Sequence, residues 1–224
     1  MAFDGLTVLL PVTGGLAEAF YRITNKSQLF LVSRRNQEQV RRLQPKADKP
    51  LDIHPCDFSK PDQVEHLLSS IPTDQPFRVI YFAGGGPFGN YFDKSFKDHQ
   101  WAYQVSFLTP SRLLHWAGQQ PQLKQMCFIG SAIAESDADP FAASYCAAKQ
   151  ALRGVIQSIW AENPDLAFDL RLFSPGYMDT KMLPPGSWPR ENRPERIMDV
   201  DQVALKLHQW LDDLEAERHL ILNA

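Results

Sequence analysis

The sequence predicts a doubly wound, Rossmann-like parallel α/β sheet of about seven strands with helices on both faces, and three observations lead there. Short apolar runs alternate with amphipathic ones along the whole chain. Most of the short runs are nearly continuous in apolar residues, as strands covered on both faces are. Regular alternation of strand and helix implies βαβ units, whose strands lie parallel. The 224 residues, 44% hydrophobic and 22% charged, suffice for one substantial core, so a single domain over 1–224 is expected.

In chain order, the strands are expected at Leu6 to Val12, Leu29 to Ser33, Leu51 to His54, Phe77 to Ala83, Leu123 to Gly130, Ala167 to Phe173 and His219 to Leu222. Helical patterns lie between them at Leu16 to Thr24, Asn36 to Leu43, Pro61 to Leu68, Trp101 to Gln119, Phe141 to Trp160 and Asp201 to Leu214. Pro61 opens its helix where a missing N–H costs nothing, and Asn163-Pro164 closes the long one. The stretch from Pro175 to about Val200 holds Pro184, Pro185, Gly186, Pro189 and Pro194 and is expected to be irregular, a substrate loop.

A net charge of −3 and a pI near 6.1 give no global attraction to nucleic acid or to an anionic membrane. Met1 to Gly5 lacks a basic leader region, and no apolar run approaches the ~18 residues of a membrane span, so a soluble, cytoplasmic protein is expected. Cys56, Cys127 and Cys146 are scattered and odd in number, which argues against a disulfide framework and for a reducing compartment. Cys127 reads as inert core, whereas Cys146, beside Tyr145, is either a small buried hydrophobe or a reactive thiol. The six histidines show no metal-ligand spacing, so no metal site is expected.

The most informative pair is Tyr145 and Lys149, four apart in the long helix and therefore on one of its faces. A tyrosine, with an ordinary pKa near ~10, needs a neighbouring cation to exchange protons at neutral pH. Ser131 stands at the end of the preceding strand, and a Pro175-Gly176 turn follows the next one, so all of them fall where open parallel sheets bind ligands. The first strand-to-helix turn, Thr13-Gly14-Gly15-Leu16, offers small residues and a helix N-terminus to a dinucleotide pyrophosphate. The second strand ends in Ser33-Arg34-Arg35, where an acidic residue would select NAD; arginines there favour the 2′-phosphate of NADP(H) over NAD(H).

These residues, in this order, resemble the short-chain dehydrogenase/reductase superfamily over nearly the whole chain. The resemblance rests on a Gly-rich first turn, Ser131 and Tyr145-x-x-x-Lys149. Asp57-Phe58 falls at the adenine-contacting position, Phe82-Ala83-Gly84-Gly85 at the Asn-Asn-Ala-Gly position, and Pro175-Gly176-Tyr177-Met178-Asp179-Thr180 resembles Pro-Gly-x-x-x-Thr. It implies that Tyr145 is the general acid or base for a small carbonyl or alcohol substrate. By the same resemblance Lys149 would lower its pKa and bind the nicotinamide ribose, Ser131 would polarise the substrate oxygen, and Thr180 would hold the carboxamide. Against the family pattern, Gly15-Leu16-Ala17 aligned with Gly-Ile-Gly puts Leu10-Pro11 at the usual Thr-Gly, and Thr13-Gly14 in that place shortens the loop. Ser106 replaces the Asn of the fourth helix that holds a proton-relay water, and Ser131 precedes Tyr145 by fourteen residues, one more than usual.

The reading is an NADP(H)-dependent reductase, with a catalytically degenerate NADPH-binding sensor or scaffold as the alternative. An α/β hydrolase is disfavoured because no Gly-x-Ser-x-Gly surrounds Ser131. Phe88, Tyr91, Ile133, Tyr177, Met178 and Trp188 are expected to flank an apolar cleft, left open by the short Pro184 to Pro194 segment. The resemblance implies a homodimer or homotetramer through the fourth and fifth helices, with Trp101, Tyr103, Phe107, Trp116, Ile156 and Trp160 as candidate contacts.

Overall fold

The computed structural model describes residues 3–24, 28–34, 43, 52–135 and 139–223. Among the described residues, seven strands form one sheet: β1 (Leu6–Leu10), β2 (Leu29–Ser33), β3 (Ile53–Pro55), β4 (Phe77–Tyr81), β5 (Leu123–Ile129), β6 (Asp169–Pro175) and β7 (His219–Leu222). All neighbours pair in parallel in the order β3-β2-β1-β4-β5-β6-β7. The order reverses beside β1, which has β2 on one side and β4 on the other. A crevice therefore opens there at the carboxyl ends of the strands.

The described helices are α1 (Gly15–Ile23), α2 (Pro61–Ser70), α3 (Phe96–Tyr103), α4 (Thr109–Ala117), α5 (Ala143–Glu162), α6 (Trp188–Asn192) and α7 (Val200–Asp212). Alternate residues of each strand feed two cores, which is why the strands read as continuous apolar runs. Val8, Val79, Phe128 and Leu172 face α2, α4 and α5, while Leu9, Ile80, Cys127 and Phe173 face α1 and α7. All seven expected strands are present. The expected helix at Asn36 to Leu43 lies, apart from Leu43, outside the described residues.

Three expectations need correction. The helix expected from Trp101 begins at Phe96, because Ser95 accepts the Asp98 N–H as an N-cap, and it passes through a π turn at Gln104–Leu108 before α4. The substrate loop is not wholly irregular: Pro189 sits in the first turn of α6, a turn at Pro194–Arg196 follows, and Met178 pairs with Met198. Trp116 and Ile156 are buried in the core, and Trp160 packs on it while donating its indole N–H to Leu170 O at 3.0 Å, so these three cover the sheet instead of a partner.

At the amino end of the sheet lie two buried cations. Arg78 bonds Thr7 Oγ1 at 3.0 Å and Asp212 at 2.8 Å. Arg171 bonds Asp169 at 2.6 Å and the carbonyls of Trp210 and Asp213, at the carboxyl end of α7 where the helix dipole favours positive charge. Gln125 joins them through Asp169 and Leu211 O. No described helix is long and apolar enough to cross a membrane.

Candidate active site

Ser131 lies one residue, Gly130, beyond the end of β5, in extended backbone, and precedes a single 3-10 turn at Ala132–Ala134. Tyr145 and Lys149 occupy the first turns of α5, the lysine buried and the tyrosine half-buried, and the Ser131 side chain acts on the Tyr145 hydroxyl as a hydrogen-bond partner. Lys149 Nζ donates to Ile129 O at 2.6 Å and lies 5.6 Å from the Tyr145 ring centroid. The fold thus brings together the three residues on which the resemblance rested.

Burial dominates the electrostatics of this group. It pushes the Tyr145 phenol up to about 12, against a smaller downward pull from the Ser131 hydrogen bond, and brings Lys149 down to about 7. The expectation that Lys149 lowers the tyrosine is not met in this arrangement, because desolvation disfavours both charged forms and the lysine is spent on a carbonyl. Tyr145 is accordingly a phenol through the neutral range, a proton donor.

The glycine run after β4 explains how these side chains fit. A Cβ on Gly84 would lie 2.9 Å from Lys149 Nζ, one on Gly85 would meet Trp101 at 2.9 Å, and one on Gly86 would touch Tyr145 Cβ at 3.0 Å. Ser106, in the π turn and fully buried, accepts the Gly85 N–H at 3.0 Å and donates to Gly85 O at 3.1 Å. Its hydroxyl fixes the glycine loop. Ala83 is buried there, its N–H bonded to Leu10 O at 3.2 Å.

At the first turn, Thr13 Oγ1 lies 3.0 Å from the buried Ser33 hydroxyl, and Gly14 takes a φ of +128° with nothing within 4 Å of a built Cβ. Gly15 has Thr180 for a neighbour: a Cβ there would meet the threonine side chain at 2.2 Å, so the start of the Pro175 to Val200 stretch lies against the first turn of α1. Leu16 turns its side chain into the core and offers only backbone. Glu18, which sequence reasoning missed, accepts the Gly14 N–H at 3.1 Å and puts a carboxylate beside the turn. Its position in the first helical turn was the available signal.

Asp57 accepts from the Ser59 N–H at 3.0 Å and the Ser59 hydroxyl at 2.8 Å. Burial raises its pKa, but the Ser59 bonds and the nearby Arg34 outweigh this and hold it below the usual range. Arg34 is exposed and close to Asp57, whereas Arg35 lies outside the described residues. Phe58 is buried edge-on to Tyr81 at 5.4 Å, its carbonyl taken by Thr109. Pro175 ends β6, the Gly176 N–H bonds Leu222 O at 2.8 Å, and Met178 packs in the α7-side core.

Of the aromatics expected at the cleft, Phe88 packs with Ile133, Ala142 and Cys146 around Tyr145. Tyr91 instead stacks on His99 at 4.1 Å, Tyr177 donates to Asp139, and Trp188 lies under Arg193. His99, another residue not anticipated, holds Ser144 at 2.5 Å and so pins the residue before Tyr145. All three cysteines are free and buried. Burial raises the Cys146 thiol, with Asp139 adding to it, which removes the reactive-thiol reading.

No family model matches the chain, and no curated protein sequence is significantly similar to it. Solved structures do match. BdcA in complex with NADPH superposes with a TM-score of 0.81 at 18% identity, over 99% of this chain and 94% of that one. A dehydrogenase/reductase from Sinorhizobium meliloti 1021 gives 0.82 at 17%, over 99% and 94%. An alcohol dehydrogenase from the archaeon Thermococcus sibiricus, complexed with 5-hydroxy-NADP, gives 0.74 at 21%, over 97% and 96%. The chain therefore has the fold seen in short-chain dehydrogenase/reductase structures.

The residues fit a dinucleotide at most points of that fold. Gly14 is open to an approaching phosphate, Arg34 is exposed near the second strand end, and the Gly84 to Gly86 run admits Lys149 and Tyr145 to the cleft. Among the described residues, the Glu18 carboxylate beside the first turn of α1 opposes the dinucleotide.

Proposed function

We propose that this protein is a divergent short-chain dehydrogenase/reductase, an oxidoreductase that uses NADP(H) in preference to NAD(H) on a small carbonyl or alcohol. The observation that carries the reading is Ser131 as hydrogen-bond partner of the Tyr145 hydroxyl, with the buried Lys149 one helical turn further on, at the carboxyl end of β5. Thr13 to Gly15, Arg34, Asp57, Gly84, Lys149 and Thr180 would hold the cofactor, which when bound supplies hydride to the carbonyl carbon. Tyr145 gives its phenolic proton to the carbonyl oxygen, and Ser131 donates a hydrogen bond to the same oxygen. Hydride and proton together yield the alcohol. Lys149, returning toward its charged form beside the resulting phenolate, stabilises it. The apolar cluster of Phe88, Ile133 and Ala142 around Tyr145 suits an apolar substituent on the substrate.

A second reading, cofactor binding without rapid turnover, is favoured by two observations. Glu18 already takes the Gly14 N–H, and Ser106 is committed to Gly85 instead of a water relay. Turnover of NADPH with a panel of aldehydes and ketones separates the two. The reductase reading expects oxidation that Tyr145→Phe lowers by about 10²- to 10⁴-fold with cofactor affinity retained. Binding without oxidation by the unaltered protein would support the sensor reading. A homodimer belongs to the proposal, since Phe96, Trp101 and Leu108 remain exposed on the α3 side. Sedimentation as a monomer at high concentration would remove it.

A further inference from the structure

Glu135 closes the turn that carries Ser131, and its carboxylate is where three other elements meet. The Ala134 N–H bonds Ser131 O at 2.9 Å and the Glu135 N–H bonds Ala132 O at 3.0 Å, so the turn is short and continuous with the serine. From β6, the Ser174 hydroxyl donates to Glu135 Oε1 at 2.9 Å. From β7, His219 Nε2 lies 3.0 Å from the same oxygen and 3.1 Å from Ser174 Oγ. From α5, Arg153 Nε lies 2.8 Å from Oε2, and Arg153 Nη1 donates to Ala134 O at 3.3 Å.

Tyr145, Lys149 and Arg153 follow one another at intervals of four, along one face of α5. The helix that presents the acid thus grips the serine's turn one step beyond the lysine. Gly130 supports the arrangement, because a Cβ there would stand 2.5 Å from Ser174 Oγ and displace the hydroxyl. The cluster is not a hydrolytic triad: Glu135 and Ser174 approach the same ring nitrogen of His219, and Ser174 is fully buried. A carboxylate only 7% exposed is costly unless paired, and an apolar side chain could close the turn with less penalty.

We propose that Glu135 is a positioning residue: held by Arg153, Ser174 and His219, its carboxylate fixes the Ser131 turn against α5 and so sets the Ser131–Tyr145 hydrogen bond. This rests on reading Ser131 and Tyr145 as the reacting pair. The test labels tyrosine at the ζ carbon with carbon-13 and assigns Tyr145 by its absence in Tyr145→Phe. Glu135→Gln and Arg153→Gln should each displace the Tyr145 resonance, whereas Asp212→Asn, which breaks the Arg78 pair at the far end of the sheet, should leave it in place. Arg153→Lys, keeping the cation, should restore most of the wild-type position. With turnover, kcat should fall by about 10- to 100-fold in the first two variants while NADPH affinity stays within about twofold.

The resonance is read without cofactor, so a wild-type protein that fails to turn over overturns the reductase reading and leaves the resonance to decide Glu135. A Tyr145 signal at the wild-type position in folded Glu135→Gln or Arg153→Gln would overturn the proposal. Should Glu135→Gln not fold, Arg153→Gln, altered at the partner 37% exposed, decides the question by itself.

Discussion

The two ends of the sheet both bury cations, and they treat them oppositely. At the amino end, Arg78 and Arg171 each have a carboxylate within 2.8 Å, and Arg171 also has two backbone carbonyls. At the carboxyl end, Lys149 has a carbonyl at 2.6 Å and no carboxylate within 4 Å among the described residues. A charge paired and bonded in place is structural; a cation buried beside a phenol without a counter-ion is stored at a cost, and its pKa falls to about 7. The difference separates the end that holds the fold together from the end available for chemistry.

The largest expected effect lies at the amino end. Arg171→Ala strands Asp169 and empties the socket at the end of α7, and should cost about 3–5 kcal/mol in denaturant unfolding while leaving cofactor binding unchanged. An equal loss of binding would blur the distinction between the ends.

At the other end the sign reverses. Lys149→Met, removing an unpaired buried cation, should raise stability near pH 7 by on the order of 1–3 kcal/mol while ending turnover. The pH dependence sharpens this. Lys149 titrates near 7 when folded and at its ordinary 10.5 when unfolded, so between these values the unfolded chain binds the extra proton and stability rises with pH. Tyr145 titrates near 12 when folded against 10.0, so beyond pH 10 the folded chain binds the extra proton and stability falls. Thermal melts across pH 7–10 should show the rise in the wild type and a flatter line in Lys149→Met.

Smaller effects concern the cofactor. Arg34→Ala should weaken NADPH binding by about tenfold and NADH binding hardly at all. Equal losses would take the arginine away from the 2′-phosphate. Glu18→Gln should tighten binding of both cofactors by about two- to fivefold, since a carboxylate no longer competes for the positive end of α1. Weaker binding in that variant would mean that Glu18 shapes the turn in favour of the phosphate.

Much of this was legible in the sequence, for identifiable reasons. Strands covered on both faces announce themselves as apolar runs, so β1 to β7 were all expected, and the four-residue spacing of Tyr145 and Lys149 survives folding because a helix preserves it. What was not legible depends on contacts between distant segments. Nothing local marks Ser106 as the residue that holds Gly85, Thr180 as the neighbour of Gly15, or Glu135 as the meeting point of α5, β6 and β7. The aromatics misled because Trp116 and Trp160 pack as well on a sheet as on a partner. The direction of the Tyr145 shift was missed because spacing reports the nearby cation and says nothing of how far both groups are withdrawn from water.

The central claim is that the carboxyl end of the sheet is a nicotinamide site, and fluorescence titration of the purified protein with NADPH and, in parallel, NADH tests it most directly. Saturable NADPH binding, tighter than NADH and unchanged in Tyr145→Phe, is the predicted result. No binding of either would contradict the account: Glu18 and Thr180 would then have closed the phosphate turn, leaving the fold without its redox chemistry.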